Sequence, residues 1–403
     1  MSDPQLLHPS GVSGGGEAHR TPEMAMLLPS IQPLAGPGEE PGTEDETPVN
    51  VRPGASVILL TLMLAGVGFV LVAALIHAAM PRTLYLHADI RSGKLSLMSQ
   101  MRASTRSASF GSSHVHNGFD PRAFDHALAG SPLETHCINL AIEGGSQTEQ
   151  RSMALEFVHN MHAGPIAEGG PASCFVLLEL GAGANFTYDH LVHPRAINIY
   201  DRANASFVDT LTSPVMPRSQ RIGRRLYAYV AMALHYMNVG MLSSAMLPNL
   251  SPDQDYKSEI VDDRRGLLAL PGYPHQELLA KKLADQPRTG TVSTQALLPG
   301  NFVLVHQLMQ AQDVHGVQYV YLLMPKFGDL TAYTVYQDWL IVDGQTVPII
   351  NLARPDLYPQ LYQFSNWLDD SHLNERGAAL ASSLIGQQIK NFATQHPIPT
   401  CGG

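Results

Sequence analysis

The stretch FVLLELGAGANFTYDHLVHPRAINIYD, residues 175–201, combines an apolar run, a glycine-rich turn and well-spaced acids. A continuous apolar segment of strand length suits a strand covered on both faces. The glycines after it let backbone approach a ligand closely. Asp201 lies about twenty residues beyond the turn, a spacing at which an acid can hydrogen-bond ribose hydroxyls. Histidine offers a second chemistry. His114 and His116 stand as HVH, His136 abuts Cys137, and His159 and His162 lie three apart on a predicted helix. Imidazole pairs at such spacings bind zinc or copper, but no HExxH accompanies them and no acid stands ready as a third ligand, so no metal site is expected. Ser173, Ser206 and Ser251 lie in no GxSxG elbow, and no hydrolase signature emerges.

The glycine turn resembles the first motif of class I S-adenosylmethionine-dependent methyltransferases. Glu179, Gly181 and Gly183 match its E-x-G-x-G start, Asn185 stands where a third glycine is frequent, and Asp201 matches the ribose acid. The resemblance implies S-adenosylmethionine as cofactor and Glu179, Gly181, Gly183 and Asp201 as its binding residues. It covers under a tenth of the chain. Neither a third strand with a polar end for the adenine nor a motif for the methyl acceptor follows.

The elements that would position these residues are set by composition. With 403 residues, 44% hydrophobic and 15% charged, the chain can bury a sizeable core. A net charge of −10 argues against a nucleic-acid partner, which needs a basic face to displace counterions. Residues 1–53 are rich in Gly, Pro, Ser and Glu without an aromatic residue, the composition of a disordered acidic tail. Residues 55–80 hold no Asp, Glu, Lys or Arg and are long enough to cross a bilayer, so 54–80 is expected as a single transmembrane helix. Arg82, Arg91, Lys94, Arg102 and Arg106 after the span favour a cytoplasmic C-terminal side. The size of the C-terminal domain favours export instead. Asn185, Asn204 and Asn249 head acceptor tripeptides for glycosylation in that case.

Residues 81–120 read as a Ser-, Arg- and Gly-rich connector, and 121–403 as a globular α+β domain. Helices are expected around 121–129, 146–163, 219–247, 274–286, 355–369 and 372–395. Strands are expected around 174–180, 196–200, 301–306, 317–324, 331–336 and 346–351, the later ones forming an antiparallel meander. The apolar segment 226–247 carries His235 and Asn238 and is expected as a buried helix rather than a second span. Cys137 and Cys174 could pair in an oxidising compartment. Tyr319, Tyr321, Tyr333, Tyr336 and Trp339 are candidates for a contact with protein partners or a second copy. Two functions follow as expectations: a membrane-anchored structural or interaction module without a cofactor, or a membrane-tethered methyltransferase-like enzyme using S-adenosylmethionine.

Overall fold

The computed structural model describes residues 54–79, 90–102, 104–162, 175–180, 201–212, 217–236, 264–269, 281, 291–294, 299–310 and 317–398. The expected tail 1–53, the strand at 196–200 and nearly all of the helix at 274–286 lie outside these residues. The chain divides into two units between Ile58 and Leu59, within the first helix; of the first unit only residues 54–58 are described. That helix, α1 (Ala55–Ala79), has apolar residues on every side, and its segment 55–75 has a mean hydropathy of 2.7. It is long and apolar enough to cross a membrane, as expected from its charge-free composition.

The second unit holds a mixed α/β domain. Helix α2 (Ile90–Met101) leads into β1 (Ser107–Phe110), α3 (Ser113–Gly118), α4 (Pro121–Leu128), β2 (Cys137–Asn139), α5 (Gln147–His162) and β3 (Phe175–Glu179). Then come α6 (Arg202–Thr212), α7 (Arg218–Tyr236), β4 (Thr291–Thr294), α8 (Pro299–Gln310), β5 (Gln318–Leu323), β6 (Ala332–Val335), β7 (Trp339–Val342), β8 (Gln345–Asn351) and α9 (Glu375–Gln395). Six strands form one sheet in the order β2-β1-β3-β5-β8-β7; every pairing is parallel except β7 with β8.

Alternation along the strands sends side chains into two cores, one per face. Phe110, Ile138, Val176, Leu178, Tyr319, Tyr321 and Ile349 pack with Phe157 of α5 and Leu304 and Leu308 of α8. Phe175, Leu177, Val320, Leu322 and Ile350 pack with Phe124 of α4 and Ile385 and Ile389 of α9. Helix α9 lies so close to α4 that a Cβ on Gly386 would come within 2.7 Å of the Ala127 methyl. The sheet is thus covered on both faces, which explains its unbroken apolar strands.

Several expectations are corrected. Residues 301–306 are helical, because an apolar run of this length suits a buried helix turn as well as a strand. With α8 as a crossover, β5 joins β3 in parallel, and among the described strands antiparallel pairing is limited to the β7–β8 hairpin, whose turn sets Asp343 at φ 48° and Gly344 at φ 83°; a lone antiparallel bridge joins Trp367 and Leu373. The supposed connector contains β1, in the interior of the sheet, and α3. Residues 355–369 form short 3-10 turns over Pro359–Tyr362 and Phe364–Asn366 rather than a helix. Tyr319 and Tyr321 share one face as the alternation requires, but that face is buried, so neither can contact a partner; Trp339 is exposed on the edge strand. Helix α7 is not buried: Ala228 and Ala231 pack on Ala205 and Val208 of α6, while its other side is open. Asn204 is buried and accepts from Arg151, which removes it as a glycosylation acceptor. Cys137 is a free thiol in the core.

Candidate active site

The chain leaves β1 for β2 on one side and β3 is added on the other, so the strand order reverses at β1 and β3. Such a switch point is where open α/β sheets place their ligands. Ser107–Phe110 form a strand with two buried serines: the Ser107 hydroxyl is shared with Thr135 (2.5 Å) and accepts from the Phe175 N–H (3.1 Å), while the Ser109 hydroxyl has no partner among the described residues. Gly111 follows. A Cβ there would fall 2.6 Å from a Glu179 carboxylate oxygen and from a Val115 methyl, so only glycine lets the chain turn into α3. The turn after β2 closes against the same point: Ile142 N–H donates to the Gly111 carbonyl at 3.0 Å, and a Cβ on Gly145 would collide with that oxygen.

Helix α3 begins at Ser113 with Ser112 as its N-cap. Its far end is held from β2 by the buried Asn139, whose amide donates to the carbonyls of Val115 (2.9 Å), His116 (3.2 Å) and Phe119 (2.9 Å). Ser113 is therefore fixed from both strands.

Opposite it stands the turn DDSH, residues 369–372, just before α9. Asp369 accepts from the backbone N–H groups of Ser371 and His372, both at 2.7 Å, and the His372 carbonyl accepts from Leu368 at 2.9 Å. Within this braced turn, His372 Nδ1 lies 2.8 Å from Asp369 Oδ2, and His372 Nε2 lies 2.9 Å from Ser113 Oγ. Two acceptor oxygens on Asp369 require the proton on Nδ1, which leaves Nε2 to accept from the serine hydroxyl. This is the arrangement of a Ser–His–Asp triad. All three side chains are partly accessible. Burial pushes Asp369 up, but the His372 hydrogen bond and the two backbone N–H groups outweigh it and hold the carboxyl below its usual range. The carboxylate is thus kept ionised, as an imidazolium on His372 requires. The Ser113 N–H has no hydrogen-bond partner among the described residues, the state a donor to a developing oxyanion needs.

A second imidazole completes the site. His114 stacks on His372 with ring centroids 5.4 Å apart and planes 18° from parallel. Ser112 hydroxyl donates to Glu179 Oε1 at 3.0 Å, its N–H donates to Glu179 Oε2, and His114 Nδ1 lies 3.1 Å from the same hydroxyl and 3.6 Å from Glu179. With the single Ser112 proton given to Glu179, His114 Nδ1 is the donor, and Nε2 is a buried acceptor without a partner among the described residues. Burial raises Glu179, but the His114 contact and the two Ser112 donors together bring its carboxyl below the usual value.

Of the residues expected to bind a nucleoside, Glu179 does end β3, but its oxygens are engaged by Ser112 and His114. Asp201 is exposed and caps α6, accepting from Asn204 N–H at 2.6 Å. Gly181 and Gly183 lie outside the described residues. Among the described residues no group of three or more His, Cys, Asp or Glu could hold an ion, and His159 is exposed on α5, a different helix from that of His114 and His116. Ser113, Asp369 and His372 escaped sequence reading because Ser113 follows a Ser-rich strand and sits in no GxSxG elbow. The D-x-x-H spacing, with a glycine and serine ending a strand far upstream, is the signal that was there to find. No known protein family matches the chain, and no curated protein matches it either.

Proposed function

We propose that this protein is a serine-dependent acyl hydrolase or acyltransferase held at a membrane by α1. The single observation behind this reading is that His372 Nε2 lies 2.9 Å from Ser113 Oγ while its Nδ1 lies 2.8 Å from Asp369. His372 takes the Ser113 proton as Oγ attacks the carbonyl carbon of an ester; the carbonyl electrons move to oxygen, towards the Ser113 N–H. The tetrahedral species then expels its alkoxide, which takes the proton from His372 and leaves an acyl group on Ser113. Water or another hydroxyl compound, deprotonated by His372, releases the acyl group by the reverse steps. Glu179 is already engaged by neighbouring groups, which weighs against its service to S-adenosylmethionine. Docking of other proteins is compatible with the enzyme, and the exposed edge strand β7 is one place for it.

The test is covalent labelling of the detergent-solubilised full chain with a fluorophosphonate. Wild type is expected to take up one equivalent at Ser113, Ser113→Ala none, and Asp369→Asn to react slower by orders of magnitude, ~10⁴-fold where this substitution leaves the wrong imidazole tautomer. A folded wild type that remains unlabelled would overturn the reading.

A further inference from the structure

Helix α7 has two different apolar sides. Ala228 and Ala231 face α6, with Tyr227 and Met232 beside them. Ile222, Leu226, Tyr229, Val230 and Tyr236 recur at intervals of three, four and seven on the other side, and each is between 48% and 65% exposed. Five large apolar side chains in one stripe are an unusual display for an ordinary solvated surface. The charge around them is segregated. Arg218, Arg221, Arg224 and Arg225 crowd the N-terminal half, and no acidic residue occurs from 210 to 252, in a chain of net charge −10. Arg225 pairs with Asp209 of α6, the last acid before the gap.

An apolar stripe on a helix with only basic charge is the pattern of a helix lying in a lipid interface, with the apolar side sunk to the acyl boundary and arginines among the headgroups. Tyrosine suits that depth, being apolar along the ring and polar at its end. A second copy of α7 brings no acid to meet the arginines, whereas an anionic surface complements them. We infer that α7 docks on a bilayer containing anionic phospholipid. The inference rests on α1 as the membrane tether and not on the triad. A domain so tethered meets the surface at high effective concentration, so one helix of modest affinity suffices.

The experiment uses the full chain reconstituted into vesicles of phosphatidylcholine alone or with one-third phosphatidylglycerol. An environment-sensitive fluorophore is attached at Leu226→Cys, with Cys174 and Cys401 changed to serine. In the anionic vesicles the emission is expected to shift to the blue and to be quenched by spin-labelled lipid. Both effects should be largely lost without phosphatidylglycerol, in high salt, or on Arg218→Glu. The exposed position of Leu226 leaves the fold untouched by the label. An unquenched label on protein that floats with the vesicles overturns the docking alone, as does quenching indifferent to anionic lipid. Energy transfer between labels that rises with protein density would assign the stripe to a second copy, and protein that fails to float would remove the tether and the inference with it.

Discussion

Glu179 shows how one carboxylate can organise a site without touching the reacting atoms. It binds the N-cap of the helix that carries Ser113 and sits beside the imidazole stacked on His372. Because its folded-state pKa lies below the usual 4.5, the charged form is what the fold favours. The stabilisation is complete above the unfolded-state value and disappears as pH falls through the lower folded-state value. Glu179→Gln replaces an acceptor facing the Ser112 N–H with an amide, and is expected to cost about 2 kcal/mol at neutral pH. Melting curves of the two proteins should converge when the pH is taken well below 4.5, and a gap independent of pH would show that charge is not the cause. Glu179 was legible as a functional position from the acid at the end of an apolar strand, but its partners were not. They come from a loop 67 residues earlier, and only the β1–β3 pairing brings them there.

At the scale of elements, the strongly apolar ones could be read and the polar ones could not. Strands β3, β5 and β8 and helices α4, α5 and α9 follow the apolar pattern closely. Strand β1 was hidden because SASF buries two serines in the sheet, with the Ser107 hydroxyl bonded to Thr135 and to the Phe175 N–H, a solution with no periodic trace in sequence. Helix α8 was mistaken for a strand because its start, NFVLV, is an apolar run of strand length, which periodicity alone cannot tell from a buried helix turn. The linkage of β2 to α3 through Asn139 was likewise invisible, since a lone asparagine in an apolar run has no particular spacing. It carries a clear expectation. Asn139→Leu removes the side-chain donor to three carbonyls at the end of α3, of which Val115 and His116 keep backbone donors from Phe119 and Leu268, and the acceptor of the Ala141 N–H, and should destabilise the domain by about 1–3 kcal/mol. Chemical denaturation measures this directly. A loss under 1 kcal/mol would mean that water replaces the amide.

For the whole molecule, the charge-free helix α1 dominates behaviour in solution. Its exposed leucines, valines and phenylalanine make a free aqueous state costly, so the native protein should stay in the pellet on alkaline carbonate extraction. Intact protein in the supernatant would remove the membrane tether. The general class, an apolar helix followed by a mixed α/β domain, was evident from composition. The parallel sheet order was not, because it depends on which crossovers the chain takes and not on any local signal.

The triad joins Ser113 to His372 across 259 positions, one residue leaving the second strand from the sheet's edge and the other arriving after its last strand has been made. A ribosome-bound chain that has displayed Ser113 for most of its synthesis therefore has no base to activate it. Reactivity arrives only when the late strands have docked and the DDSH turn has closed. On the proposed acyl-transfer reading, newly made protein thus passes through translation chemically silent, and its first turnover reports that folding has finished.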